Sequence, residues 1–87
     1  MLTYALIVSK ENCHEKVYEQ IKELKNGVYR LYKVSGEYDL LAEIKLQSEE
    51  KMKEILNKIK SLEGVMTLKT CTVLHKTKEH NQPPKIV

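Results

Sequence analysis

Lys33-Val34-Ser35-Gly36-Glu37-Tyr38-Asp39-Leu40-Leu41-Ala42 interrupts, with one glycine and two carboxylates, what would otherwise be a long run of strand-forming residues. That is the layout of a β-hairpin. Gly36 can take a positive φ at low steric cost, and Glu37 and Asp39 flank Tyr38 where the second arm begins. The turn is more polar than packing requires. Two readings stand side by side: a solvated acidic turn, or a site for a small zwitterion. In the second, carboxylates hold an ammonium group and backbone N–H groups freed near a glycine hold a carboxylate.

The arms of the hairpin run over residues 28–35 and 39–46. In the first, Val28, Arg30, Tyr32 and Val34 alternate with Tyr29, Leu31, Lys33 and Ser35. In the second, Leu40, Ala42, Ile44 and Leu46 make one apolar face, with Asp39, Leu41, Glu43 and Lys45 opposite. Upstream, residues 3–9 form a continuous apolar run whose two faces both want cover, Tyr4, Leu6 and Val8 on one side, Ala5 and Ile7 on the other. Between that run and the hairpin, Cys13, Val17, Ile21 and Leu24, with Tyr18 beside them, predict an amphipathic helix capped by Asn12 and stopped at Asn26-Gly27. Downstream, Ser48 caps a second helix reaching Ser61, with Met52, Ile55, Leu56 and Ile59 as its stripe. Residues 66–76 supply a fourth strand rich in Thr and Val. Pro83-Pro84 disfavours regular structure in residues 77–87, a tail or arm.

The order is β-α-β-β-α-β. Ile21-Lys22-Glu23-Leu24-Lys25-Asn26-Gly27-Val28 and Ile59-Lys60-Ser61-Leu62-Glu63-Gly64-Val65 are near-copies, each at the helix-to-strand corner of one half. Two such halves predict an α+β, ferredoxin-like domain over residues 1–76, a four-stranded antiparallel sheet with both helices on one face. The other face is expected to carry Ala5, Ile7, Leu41 and part of the fourth strand. A second copy packed sheet to sheet about a two-fold axis is its simplest cover, so at least a dimer is expected.

The 87 residues make one domain, and a chain this short buries only about two thirds of its unfolded surface, so it gains from oligomerisation. Hydrophobic residues at 41% and charged residues at 31% fit a globular chain rather than a disordered one. No apolar run approaches the length of a membrane-spanning helix, and the N-terminus lacks a basic region and a cleavage site, which points to the cytoplasm. Cys13 and Cys71 read as free thiols. Cys71 and His75 on one strand would stand about 13 Å apart, too far to share an ion, so neither a metal nor a cofactor is expected. The net charge of +3 is interspersed with acidic residues along the helix faces, as in Glu49–Lys53 and Glu54–Lys58. A nucleic-acid binder would concentrate it.

Other uses of this scaffold fit poorly. RNA recognition needs stacking aromatics on the central strands, and the chain has no Phe and no Trp. The first β-α connection, Ser9-Lys10-Glu11-Asn12, lacks the Arg- and Gly-rich loop of acylphosphatases, and His14 reads as a lone surface histidine.

Gly27-Val28, then Val34-Ser35-Gly36-Glu37-Tyr38-Asp39-Leu40-Leu41, then Leu62-Glu63-Gly64-Val65 before a Thr-rich strand resemble the effector-binding (RAM) domain of the Lrp/AsnC transcription regulators. The resemblance implies a homodimer formed through the sheets, assembly into a ring, typically of four dimers (an octamer), and an amino acid effector bound at contacts between dimers. On matching positions it places Gly36, Glu37, Tyr38 and Asp39 in the ligand loop and Cys71, Thr72 and Val73 on the last-strand segment lining the same pocket. Asp39 then senses the α-ammonium, and Gly36 allows close approach of the carboxylate. Alternatively, Asp39 caps its own hairpin turn, and Tyr38, Cys71, Thr72 and Val73 serve packing alone. Full-length members carry a helix-turn-helix domain before this one. Here Met1 leads at once into the first strand, so the expectation is a stand-alone form without direct DNA binding that acts through partners such as full-length regulators. Two rivals remain: a small dimeric α+β-barrel enzyme of monooxygenase or isomerase type, for which the chain offers no convincing catalytic residues, and a scaffold that binds no ligand.

Overall fold

The computed structural model describes residues 1–24 and 27–74. Asn26, the last positions of the expected fourth strand, His75, His80 and the tail at 77–87 lie outside the described residues. The elements are β1 (Leu2–Ser9), α1 (His14–Lys22), β2 (Val28–Lys33), β3 (Leu40–Lys45), α2 (Glu49–Lys60) and β4 (Val65–Val73). Their order in the sheet is β2-β3-β1-β4, with every neighbouring pair antiparallel. This is the ferredoxin-like α+β arrangement that the two half-repeats predict.

The core lies on one face of the sheet. Ala5, Ile7, Leu40, Ala42 and Ile44 are buried there against Val17 and Ile21 of α1 and Met52, Ile55 and Ile59 of α2. At about 1.5–3 kcal/mol per fully buried aliphatic side chain, this layer supplies the main favourable term of folding. The second helix starts as its sequence dictates: Ser48 Oγ accepts the Lys51 N–H at 3.2 Å, with Glu49 and Glu50 in the first turn and Lys58 and Lys60 in the last.

Three expectations are corrected. Ala5 and Ile7 do not lie on the open face. They pair with Ala42 and Leu40, and directly paired residues share a face, so the apolar face of β3 carries them into the core. The open face instead presents Tyr4, Leu6 and Val8 of β1 beside Leu41 and Glu43 of β3. Strict alternation along β2 also fails. A register shift between Val28 and Arg30 makes Tyr29 an extra residue, so Val28 and Leu31 both pack on the core while Arg30 and Tyr32 pair with Glu43 and Leu41 of the open-face set. Two cations lie over the ring of exposed Tyr29, Lys45 at 4.2 Å and Arg30 at 5.0 Å from its centre. Finally, the N-cap of α1 is Cys13, without a side-chain cap, because Asn12 sits at φ 64° and makes the turn before the helix.

Both helix-to-strand corners are built on glycine. Gly27 holds φ +105°, and the repeat partner Gly64 is where β4 begins to pass α1: a Cβ there would stand 2.7 Å from Val17 Cγ2 and 3.0 Å from Cys13 Cβ.

Candidate functional site

The hairpin loop carries the first group of expected site residues. Gly36 sits at φ +111°, as its place in the turn requires, with open space where a side chain would be. Gly36 and Glu37 are exposed, while Tyr38 and Asp39 are half-buried. The loop closes through the Val34 N–H donating to the Asp39 carbonyl at 3.0 Å, and the Asp39 N–H donates to the Ile7 carbonyl at 2.9 Å.

The Asp39 carboxylate does not cap its own turn. It reaches across to the end of β1, where Oδ2 accepts the Ser9 N–H at 2.8 Å and the Ser9 hydroxyl at 3.1 Å. Ser9 Oγ lies 2.5 Å from His14 Nδ1, and His14 Nε2 lies 3.8 Å from Asp39 Oδ1. Among the described residues, Oδ1 has no hydrogen-bond donor at ordinary distance. In a nucleophile relay the imidazole hydrogen-bonds the carboxylate and takes the hydroxyl proton; here Nε2 and Oδ1 stand 3.8 Å apart, beyond hydrogen-bond distance, and the serine hydroxyl donates to the carboxylate directly. What it can do is hold a carboxylate through one oxygen and leave the other without a hydrogen bond among the described residues.

Sequence reasoning misses Ser9 and His14, which read as a strand end and a surface histidine. The available signal is the short Ser9–His14 connection, which brings the start of α1 back over the end of β1.

The second group lies elsewhere. Cys71 pairs with Tyr4, Thr72 with Thr3 and Val73 with Leu2, whereas Asp39 lies just before the Leu40–Ile7 pair. At 3.3 Å per residue and about 4.8 Å per strand, the two groups are separated by roughly 13–20 Å along the sheet and about 10 Å across it. One chain therefore does not bring them together. Thr72 Oγ1 hydrogen-bonds Thr3 Oγ1 at 3.0 Å, and Cys71 lies beside Tyr4 on the open face. A groove of about 520 Å³ between Leu24, Leu46 and Ile55 includes none of the seven expected site residues in its lining.

Two further features frame the site. Lys33 donates to Glu15 Oε1 at 2.6 Å and stands over the Tyr18 ring, tying β2 to α1; the bond to Glu15 raises the Lys33 pKa. On the open face, burial pushes the Tyr4 phenol above its usual value, and the Glu43 carboxylate adds to the shift. Among the described residues, no group of three or more potential ligands could hold a metal, and no helix is long and apolar enough to cross a membrane.

The model of the Lrp/AsnC ligand-binding domain matches residues 5–83. The chain belongs to the Lrp/AsnC ligand-binding domain family. A protein of Thermus thermophilus is 30% identical with a TM-score of 0.81, over 90% of this chain and 98% of that one. The AsnC protein of E. coli has the same fold, with a TM-score of 0.79 at 17% identity over 91% of this chain, which spans about half (54%) of its length. So has a transcriptional regulator of Neisseria meningitidis solved in complex with L-Met, with a TM-score of 0.74 at 15% identity, covering 95% of this chain and 55% of that one. No curated protein matches the sequence. Membership of the Lrp/AsnC ligand-binding domain family makes the chain an effector-binding regulatory module.

Proposed function

We propose that this domain senses a free amino acid and couples its binding to oligomerisation, influencing transcription or amino-acid metabolism through partner proteins. The observation that carries the reading is the Asp39 carboxylate, fixed through Oδ2 by Ser9 while Oδ1, 3.8 Å from His14 Nε2, takes no hydrogen bond among the described residues. A carboxylate pre-positioned in this way suits the α-ammonium of an amino acid. Exposed Gly36 leaves room for the ligand carboxylate beside the loop. The L-Met found with the Neisseria regulator supports the effector class.

The distance between the Asp39 loop and Cys71–Val73 gives the site its logic. If both line one pocket, they come from different chains, so binding and assembly are coupled. A coupling of about 1–3 kcal/mol suffices for regulation. The open sheet face, with Tyr4, Leu6, Val8, Leu41 and Val73, is the surface through which two copies pair, and a ring of dimers would then present the loops to one another. Basic charge is interspersed on both helices, so DNA contacts belong to partners such as full-length relatives. The chemistry is cytoplasmic and non-enzymatic in this reading.

Native mass spectra of the purified protein, alone and with a pool of the 20 amino acids, test it. A multi-dimer assembly gaining discrete amino-acid masses supports the sensor reading and identifies the ligand. A species that binds none of them overturns it.

A further inference from the structure

We propose that the groove between the two helices is the docking site of this chain's own C-terminal segment, with Ile86 and Val87 seated on its apolar floor.

The groove, of about 520 Å³, lies at the end of the domain where α1 finishes and α2 begins. Its floor is Leu24, Leu46 and Ile55, and its rim is Glu23 of α1's end with Lys51, Glu54 and Lys58 of α2. Ile55 is buried, whereas Leu24 and Leu46 are only half-buried, so the floor still shows apolar surface to water. Leu46 is held firmly from behind: a Cβ at Gly27 would stand 3.0 Å from its Cδ2. Among the described residues the four rim charges join none of the ion pairs, which are Lys16–Glu63, Lys33–Glu15 and His14–Asp39. Floor and rim are both free for an incoming segment.

The course of the chain picks the occupant. β4 ends at Val73, which pairs with Leu2, and Leu2 pairs on its other side with Lys45. The chain therefore leaves the sheet two strands from the groove, about 10–15 Å from Leu46. Residues 75–85, His-Lys-Thr-Lys-Glu-His-Asn-Gln-Pro-Pro-Lys, contain no Ala, Val, Ile, Leu or Met. A polar coil of that length has a root-mean-square reach of about 17–20 Å. A link whose reach is close to the span holds its end at the site at millimolar effective concentration. Ile86 and Val87 follow as the first aliphatic pair beyond Leu74. Pro83-Pro84 favours an extended polyproline conformation, which lies along a groove at low ordering cost. Lys85, next to the aliphatic pair, complements Glu23 and Glu54 on the rim.

Docking there leaves the rest of the molecule available. Asp39 lies just before the Leu40–Ile7 pair, whereas Leu46 lies just beyond the Lys45–Leu2 pair, at the opposite end of the sheet. The groove is also on the helical side, away from Leu6 and Leu41 of the open face. The segment thus closes the lower end of the helical layer within one chain and leaves both the hairpin loop and the pairing face uncovered.

Methyl-resolved NMR on the full chain, labelled at Ile, Leu and Val, tests this. Nuclear Overhauser contacts should join the methyls of Ile86 and Val87 to those of Leu24, Leu46 and Ile55. When labelled protein is mixed and reassembled with a large excess of unlabelled, deuterated protein, the contacts should persist, because both partners belong to one chain. I86S/V87S should shift the Leu24, Leu46 and Ile55 methyl resonances and leave those of Leu6, Val8 and Leu41 in place. The proposal is overturned if Ile86 and Val87 contact none of the floor residues, or if they contact Leu6 or Leu41 instead. It is equally overturned if the contacts are lost on dilution, which would seat the segment of a second copy in the groove.

Discussion

Asp39 and Ser9, 30 positions apart in the chain, are joined by two hydrogen bonds to a single carboxylate oxygen. The backbone bond is the more demanding of the two, because Ser9 is buried and its N–H is aimed at that oxygen. Asp39→Ala strands that donor and should cost about 1–3 kcal/mol. Ser9→Ala keeps the N–H bond and loses only the hydroxyl, so it should cost about 1 kcal/mol or less. Urea unfolding followed by circular dichroism ranks them. Equal costs would mean that the hydroxyl, not the backbone, anchors the loop.

Gly64→Ala and Gly36→Ala separate packing from backbone strain. At Gly64 the added methyl would meet Val17 Cγ2 at 2.7 Å inside the core, so overpacking of about 1–3 kcal/mol is expected. Val17→Ala removes the obstacle, and the double variant should be less destabilised than the sum of the two single changes. At Gly36 nothing lies within 4 Å of the new atom, but φ +111° is unfavourable for an L side chain, which costs roughly 1–3 kcal/mol with no rescue from a neighbour. A double-mutant cycle in urea shows which case applies.

These glycines also show what is legible in the sequence. The paired Asn26-Gly27-Val28 and Glu63-Gly64-Val65 corners are visible as a repeat, and with the apolar stripes they suffice for the topology. The faces of the sheet are harder. A period of two says which residues share a side of one strand, yet only the Ala5–Ala42 register decides which side of β1 meets the helices. Tyr29 defeats alternation because a bulge leaves no mark in the hydrophobic pattern. At the site, Gly36 and Asp39 are legible as an unusual turn. The Ser9 and His14 contacts are not, since they depend on where the start of α1 lands after the φ 64° turn at Asn12.

Tyr4 links the open face to pH. Its hydroxyl is held protonated by burial and by Glu43 nearby. For an acid whose pKa is raised on folding, the folded state binds the proton more tightly than the unfolded chain. The associated stability is therefore fully present below the unfolded value near 10 and is lost as pH rises through the higher folded value. Wild type should lose more stability than Tyr4→Phe between pH 9 and pH 11. Guanidinium unfolding of the two proteins at both pH values isolates the Tyr4 contribution from that of the other tyrosines and lysines.

Leu41 tests the sheet-to-sheet dimer. It lies between Leu6 and Tyr32 in the register and stays half-buried in a single chain. A glutamate there can turn toward water in a monomer, so Leu41→Glu should leave the circular dichroism spectrum of the fold largely intact. In a sheet-packed dimer the same carboxylate would be shut away from water without a cation, next to its symmetry-related copy. Stranding a charge in that way costs several kcal/mol, enough to raise the dimer dissociation constant about a hundredfold or more. Sedimentation velocity across a concentration series reads this directly. Lys53→Glu, on the exposed side of α2, changes the net charge in the same direction and should leave association unchanged. Were Lys53→Glu to dissociate the protein and Leu41→Glu to leave it assembled, the pairing surface would be the helical face, and the open sheet would need another cover.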